Sequence, residues 1–393
     1  MINKTQHNKI PEGWKEKELN GVGTFSKGKG ILKKELSPTG HNAIRYGELY
    51  TKHHIKVDTI YSFISDQVAR KSKLINQGDI IFAGSGETID EIGKSAVYLD
   101  NEPCYVGGDT LIFSSNRQDN LYLAYLLNNK VVRKELRKLG QGQSVVHLYQ
   151  KDLSQLKILL PPLPEQKGIV SVLETWDKYI ELLDKKIEIK KNIKKYLMQI
   201  LLTGKVRLKG FDDEWRKVKL KEICESIKTG KLDANAMSLD GRYHFYTCAK
   251  DYYYINTYAF DTEALLVSGN GENVGYIHYY KGRFNAYQRT YVLDKFTENI
   301  LFLKYLLQKN LPKRIYEEKC DGNTPYIKME TLKDMMLEIP NSKDEQKAIS
   351  SILSSSDKEI EILEQEKKLI EEQKKYLLNN LVTGKIRIPK FVS

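Results

Sequence analysis

Cysteine is scarce in this 393-residue chain: the four, Cys104, Cys224, Cys248 and Cys320, lie far apart in no CxxC or Cys/His spacing. That speaks against both a disulfide framework and a zinc site. No run of about 18 apolar residues occurs, and Met1-Ile2-Asn3-Lys4 opens no apolar stretch, which argues against a membrane span or secretion and for a cytoplasmic setting. The seven histidines form no HExxH or spaced ligand set, and His53-His54 reads as a loop pair. No glycine- or serine-rich linker appears, so the parts are expected to be held in fixed geometry.

Catalytic signatures are missing as well. Thr88-Ile-Asp-Glu-Ile-Gly93-Lys94-Ser95 ends like a phosphate-binding loop but has threonine where the first glycine must turn the backbone. Pro161-Pro162 lacks the Asn or Asp before it and the aromatic after it that would hold a flipped adenine in a methyltransferase. Glu188-Ile-Lys190 resembles a nuclease Glu-x-Lys without its strand-borne Pro-Asp partner. No catalytic constellation, metal site or cofactor site is read from the chain.

What is present is positive charge and repetition. A net charge of +12 and pI near 9.1 favour an anionic partner, and the length implies two or more domains. Glu165 to Arg207 is written again, without a gap, at Glu345 to Arg387: about 20 of the roughly 43 aligned positions are identical. In each copy apolar residues step by four and three, Ile169, Leu173, Trp176, Ile180, Leu183, Ile187 against Ile349, Leu353, Ser356, Ile360, Leu363, a narrow stripe suited to a coiled coil. Thr203-Gly204 and Thr383-Gly384 supply the glycine of a left-handed C-terminal cap. Each helix of roughly 37 residues would be about 55 Å long, too long for a small domain to bury, so the two copies are expected to pack on each other.

The duplication extends to the segments between. Ile10 to Leu19, with Trp14, matches Phe211 to Leu220, with Trp215. Both globular regions read as strand, glycine turn, strand, strand, helix: Asp79 to Gly86, Lys94 to Leu99, Thr110 to Phe113 and Leu121 to Leu139 in the first, Ala264 to Glu272, Gly275 to Tyr280 and Leu301 to Leu307 in the second. The expected organisation is a mixed α/β fold with globular regions at 1–158 and 209–339 and repeated helices at 159–208 and 340–393. Few residues outside the turns agree, as expected of one fold serving two different targets.

The binding candidates sit in the turns. Gly84 to Gly86, with Ser85, and Gly269 to Gly271, with Asn270, admit two readings, close approach to another molecule or a tight turn. Lys27, Lys29, Lys228 and Lys231 follow the matched tryptophan segments, as phosphate contacts or as solvated charge. Gln141, Gln143 and Asn323 offer amides of the kind that read base edges, and Arg289 is a further base-directed candidate. The run Tyr243 to Tyr258 divides between core and surface rings.

Pro-Leu-Pro-Glu-Gln at 162–166, the long helix, Leu-Leu-Thr-Gly-Lys at 201–205 and a Trp-containing start to a new globular region resemble the DNA specificity subunit of type I restriction-modification systems. The resemblance covers nearly the whole chain; the second approach, Ile-Pro-Asn-Ser-Lys-Asp-Glu-Gln, departs in lacking the double proline. It implies two target recognition domains separated by an antiparallel coiled coil and a non-catalytic subunit on double-stranded DNA. Two methyltransferase subunits, which use S-adenosylmethionine to methylate adenine, and restriction subunits are its implied partners. The near-equal repeats suggest a pseudo-two-fold relation holding two DNA-reading regions roughly one turn, about 34 to 36 Å, apart. Lys194, Lys195, Tyr196 and Lys374, Lys375, Tyr376, identical where a seam needs only leucines, are expected to dock the methyltransferases. The competing classes are a stand-alone pseudo-symmetric DNA-binding regulator and a coiled-coil scaffold.

Overall fold

The computed structural model describes residues 10–142, 145–318 and 325–391. The chain forms two compact units, Met1–Leu182 with Lys367–Ser393, and Leu183–Glu366. The repeated stretches are helices of 39 residues each, Leu163–Leu201 and Lys343–Leu381. Each unit therefore contains one globular region, the first half of one long helix and the second half of the other.

In the first unit the four-stranded sheet runs in the order Thr24–Lys27, Thr110–Ser114, Ile80–Ala83, Ser95–Val97. A five-stranded sheet places Cys104–Val106 between His41–Ile44, which it pairs in parallel, and Lys73–Ile75. The central strand Ile80–Ala83 is buried along its whole length, with its side chains divided between two cores. The second unit builds one six-stranded sheet in the order Cys224–Thr229, Thr290–Phe296, Phe260–Ser268, Ile277–Ala286, Tyr243–Tyr246, Tyr253–Ile255. Its ten-residue strand Ile277–Ala286 does the work of two strands in the first unit, antiparallel to Phe260–Ser268 and then parallel to Tyr243–Tyr246. In the first unit Leu99 to Pro103 interrupt the equivalent path, and Pro103 offers no N–H for a ladder.

The expected helix Leu121 to Leu139 is two helices, Asn120–Leu127 and Lys130–Leu139. Asn129 restarts the second by accepting from the Val131 N–H (2.9 Å), and its apolar neighbours kept the helical period unbroken in the sequence. Its counterpart runs uninterrupted over Ile300–Glu317.

Both globular regions close in the same way. Lys15–Glu18 pairs antiparallel with Lys157–Leu160, and Trp215–Lys219 with Met336–Pro340, so each region delivers its last strand to the start of a long helix. There a glutamine side chain ties two other backbone segments to the helix start. Gln166 accepts from the Asp119 N–H (3.0 Å) and donates to the Pro161 carbonyl (2.9 Å); Gln346 accepts from the Asn299 N–H (2.9 Å) and donates to the Pro340 carbonyl (3.0 Å). The two junctions are thus equivalent without the second double proline.

Beside each glutamine is a buried glutamate. Arg387, in the tail of the second helix, holds Glu165 through Nε (2.9 Å) and a terminal nitrogen (2.8 Å), and Trp14 donates its indole N–H to the same carboxylate (3.1 Å). In the second unit Arg207 holds Glu345 in the same fork (2.7 and 2.8 Å). Such bidentate pairs fix geometry as well as charge. The capping glycines complete the joint, Gly384 (φ +70°) against Trp14 and Gly204 (φ +64°) against Trp215.

Farther along, the half-helices of each unit pack antiparallel. In the second unit Lys190 meets Glu359 (2.7 Å), while Lys194 pairs with Asp357, which also accepts from the Tyr305 hydroxyl (2.6 Å). In the first unit Lys374 pairs with Asp177, which accepts from the Tyr125 hydroxyl (2.6 Å). Each lysine lies over its tyrosine ring, at 5.4 Å and 5.9 Å from the centroid. Burial, then the carboxylate, pushes both phenols above their ordinary range.

A cluster of rings covers one end of the six-stranded sheet: His244 stacks on Tyr252 (3.9 Å between centroids), and Tyr246 touches His278 (5.0 Å) and Tyr280 (5.6 Å). Tyr246 is buried, whereas Tyr252, Tyr253, Tyr254 and Tyr258 are exposed.

Two expectations follow for stability. Gly384→Ala forces a side chain into the left-handed region, a cost of about 1–2 kcal/mol, and sets its Cβ 2.5 Å from Pro11. Gly204→Ala carries the same strain but meets only Trp215 at 3.4 Å, and Gly21→Ala has open space. Urea unfolding should rank the losses in that order; equal midpoints for Gly384→Ala and Gly21→Ala would contradict the packing.

The second concerns pH. Burial depresses His244 and His278 below the ordinary 6.5, although the Ala249 carbonyl and Asp251 partly offset this at His278. Unfolded, both take protons as pH falls through 6.5; folded, they resist until lower pH. The second unit should therefore lose stability progressively as pH drops below about 6.5 towards the depressed values, and His278→Gln should shrink that loss. Unfolding midpoints at pH 7.5 and 5.5 for wild type and variant check it.

Candidate nucleic-acid interface and helical docking surface

Three strand ends meet at one edge of each globular region. In the first unit Gly28 donates to the Thr110 carbonyl (3.0 Å) and Gly84 to the Asp109 carbonyl (2.8 Å), while Leu148 donates to Gly84 (2.9 Å). In the second, Gly230 donates to Thr290 (3.2 Å), Gly269 to Arg289 (2.8 Å) and Ile327 to Gly269 (2.9 Å). A Cβ on Gly84 or Gly269 would lie 2.9 or 2.3 Å from the carbonyl oxygen that its N–H bonds, so the chain's own backbone requires these glycines. The tight-turn reading holds there, whereas Gly271 (φ +80°) faces open space.

This edge gathers most of the sequence-derived binding candidates. Lys27 ends its strand opposite Leu111, and Lys29 follows with its N–H on the Val106 carbonyl (3.2 Å); both are exposed. Gln141 is joined by two backbone bonds to His147, whose imidazole Nδ1 lies 2.9 Å from the Ser85 hydroxyl. Ser85 is buried, its carbonyl accepting from the Tyr50 hydroxyl, and the Gln141 amide donates to Asp152 (3.0 Å). Both therefore brace the loop, Ser85 from within and Gln141 at the surface. In the second unit Asn270 forms a bridge with Tyr326, Arg289 stands at the end of Thr290–Phe296, and Lys231 continues from Cys224–Thr229. Lys228, one turn of the strand back, faces Val292 across the ladder. Lys228, Lys231 and Arg289 are exposed and Asn270 is half-buried. Gln143 and Asn323 lie outside the described residues. Among the described residues no cluster of three metal-ligating side chains occurs, and no helix is long and apolar enough to cross a membrane.

The structure divides the helical candidates. Lys194 and Lys374 are engaged by Asp357 and Asp177 inside their own units, which explains their identity in the two copies without any partner. Lys195, Tyr196, Lys375 and Tyr376 point outward, and the two tyrosines are about 60% exposed. Sequence reasoning missed Asp177, Asp357, Tyr125 and Tyr305, although the same self-comparison aligns Asp177 with Asp357. It also missed a second apolar stripe. Leu182, Ile189 and Tyr196 stand seven apart on the first helix, Ile362, Leu369 and Tyr376 seven apart on the second, and all six are more than half exposed. In the first unit Leu369 and Tyr376 join Trp176, Glu372, Gln373 and Leu377 around a shallow groove of about 380 Å³.

Comparison with known proteins places this arrangement. The family described as "Type I restriction modification DNA specificity domain" matches residues 11–192 and 212–372. A putative type I restriction enzyme MjaX specificity subunit of Methanocaldococcus jannaschii is 29% identical over 424 residues, covering 98% of this chain and 96% of that one. The EcoDI specificity subunit of Escherichia coli is 42% identical over 132 residues, a match spanning 34% of this chain and 29% of that protein. In fold, the chain is similar to the crystal structure of a type I restriction-modification S subunit from M. genitalium, with TM-score 0.61 and 17% identity over 96% of this chain and 98% of that one. With a duplicated α/β region, a duplicated long helix and a family match over most of its length, the chain belongs to the type I restriction-modification DNA specificity family.

Proposed function

We propose that this chain reads a two-part sequence in double-stranded DNA, one part with each globular region. On this reading it positions two adenine-N6 methyltransferase subunits, with restriction subunits joining the assembly, and supplies no catalytic group or cofactor. Residues 1–158 and 209–339 act as the target recognition domains, 159–208 and 340–393 as the repeated helices. The observation that carries the reading is the edge built twice on the same backbone bonds with different exposed side chains. A scaffold needs no such pair, and a stand-alone regulator would leave the outward apolar stripes of the helices in water.

Within the edge, Lys27, Lys29, Lys228 and Lys231 act as phosphate contacts, Arg289 as the base-directed group of the second region, and Asn270 with it. Ser85 and Gln141 hold the first loop, and Gln143 and Asn323 belong to the same loops by sequence. Lys228→Ala should weaken binding to all duplexes and lower the salt slope by about one unit. Arg289→Ala should cost roughly 1–3 kcal/mol at one base pair and relax preference there alone. A binding series on single-position DNA variants separates the two; uniform weakening by Arg289→Ala would reassign it to the backbone.

For the partners, Tyr196 and Tyr376 with the flanking Lys195 and Lys375 form two equivalent docking sites. Native mass measurement of the reconstituted methyltransferase should give two catalytic subunits per chain, one in Tyr196→Glu or Tyr376→Glu, and none in the double variant. A wild-type complex that stops at one copy would defeat the equivalence.

A further inference from the structure

Asp109 and Arg289 hold the same place in the backbone hydrogen bonding of the two units, although of the two only Asp109 has a positive φ. Each lends its carbonyl to the glycine at the edge, Gly84 or Gly269, at 2.8 Å. Each precedes a fully buried threonine, Thr110 or Thr290, that opens a strand opposite the end of the central one, at Ala83 or Ser268. Both side chains are exposed, and among the described residues neither makes an ion pair, yet their charges are opposite.

The backbone accounts for part of this. Asp109 has φ +58°, the left-handed region that Asp and Asn tolerate best among residues with a side chain. A short polar residue is therefore required there, but asparagine would meet the requirement without a charge. In a chain of net charge +12 acting on a polyanion, a free carboxylate at the reading edge repels phosphates and contributes only where it faces a donor. The major groove presents one that suits it, the N4 amino group of cytosine, as it presents guanine O6 and N7 to arginine.

We propose that Asp109 is a specificity-determining residue. It accepts a hydrogen bond from cytosine N4 in the half of the target read by the first region, at the place where Arg289 faces its base in the other half. The assignment rests on the DNA-reading function proposed above and adds a residue and a base to it.

The test is selection of full-length chain against random duplexes, comparing wild type with Asp109→Asn and Asp109→Ala. Wild type should return a two-part motif with cytosine at one position in one half. Asp109→Asn keeps the backbone conformation and should move that position towards adenine, whose N6 and N7 match an amide, while Asp109→Ala relaxes it. Discrimination at the position should fall about tenfold or more, while affinity for random-sequence DNA stays level or rises, because a negative charge has gone. The other half of the motif should not change. If Asp109→Asn returns the wild-type motif unchanged, if the altered position was not cytosine, or if both variants weaken all sequences alike with unchanged motif, the assignment is overturned while the DNA-reading function stands. A wild-type chain that enriches no motif overturns both.

Discussion

Two carboxylates, Glu165 and Glu345, with almost no exposed surface, impose the constraint on which the rest of the structure depends. A carboxylate that deep loses its hydration and must be matched by charge and hydrogen bonds in place, or the helix start that carries it cannot be buried. The match comes from far along the chain, from Arg387 and Arg207, each just past the end of the other long helix. Within each unit, then, burial of a helix start requires the tail of the other helix, and the two must run antiparallel to meet. This explains several of the identities in the duplicated stretch: Glu and Gln at the start, Asp177 with Asp357, Lys194 with Lys374, and the Gly and Arg of the closing Thr-Gly-Lys-x-Arg are members of the joint or of the Lys-Asp-Tyr cluster.

The same logic separates scaffold from surface in the globular regions. Glycines, buried threonines and carbonyls at the edge recur because they bond one another, and a change in any would break the meeting of three strand ends. Side chains that leave the edge carry no such obligation. The exposed side chains Asp109 and Arg289 carry opposite charges, and even the sheets differ, one unbroken strand in the second unit replacing two in the first. The exposed surface thus varies on a frame that does not.

Much of this was legible in the sequence. The helices, their capping glycines and the order of strands around the glycine turns could be read because period and turn chemistry are local. The division of Leu121 to Leu139 could not, since the apolar run before Asn129 and the valines Val131 and Val132 after it keep the helical period and mask the cap. Nor could the role of Lys194 and Lys374: lysine identity signals a constraint but not whether its partner is inside the unit or outside it. The buried position of Ser85 and its contact with His147, 62 residues away, likewise depend on a strand pairing that no local pattern announces. The equivalence of Asp109 and Arg289 was hidden for another reason, because opposite charges suppress the likeness that backbone bonding reveals.

The outward stripe poses the remaining physical question. A seam facing one partner helix is satisfied by the inner residues Leu183, Ile187, Ile360 and Leu363, all buried. A second row at Leu182, Ile189 and Tyr196, matched by Ile362, Leu369 and Tyr376, holds a spacing of seven outside that seam, and solvated helix surfaces have no reason to keep one. Scattered exposed apolar residues are ordinary; the same row in the same phase on both copies is not. Because each row belongs to a duplicated helix, whatever covers one has an equivalent place on the other. A repeated chain thereby presents the same outward apolar row twice, once on each long helix.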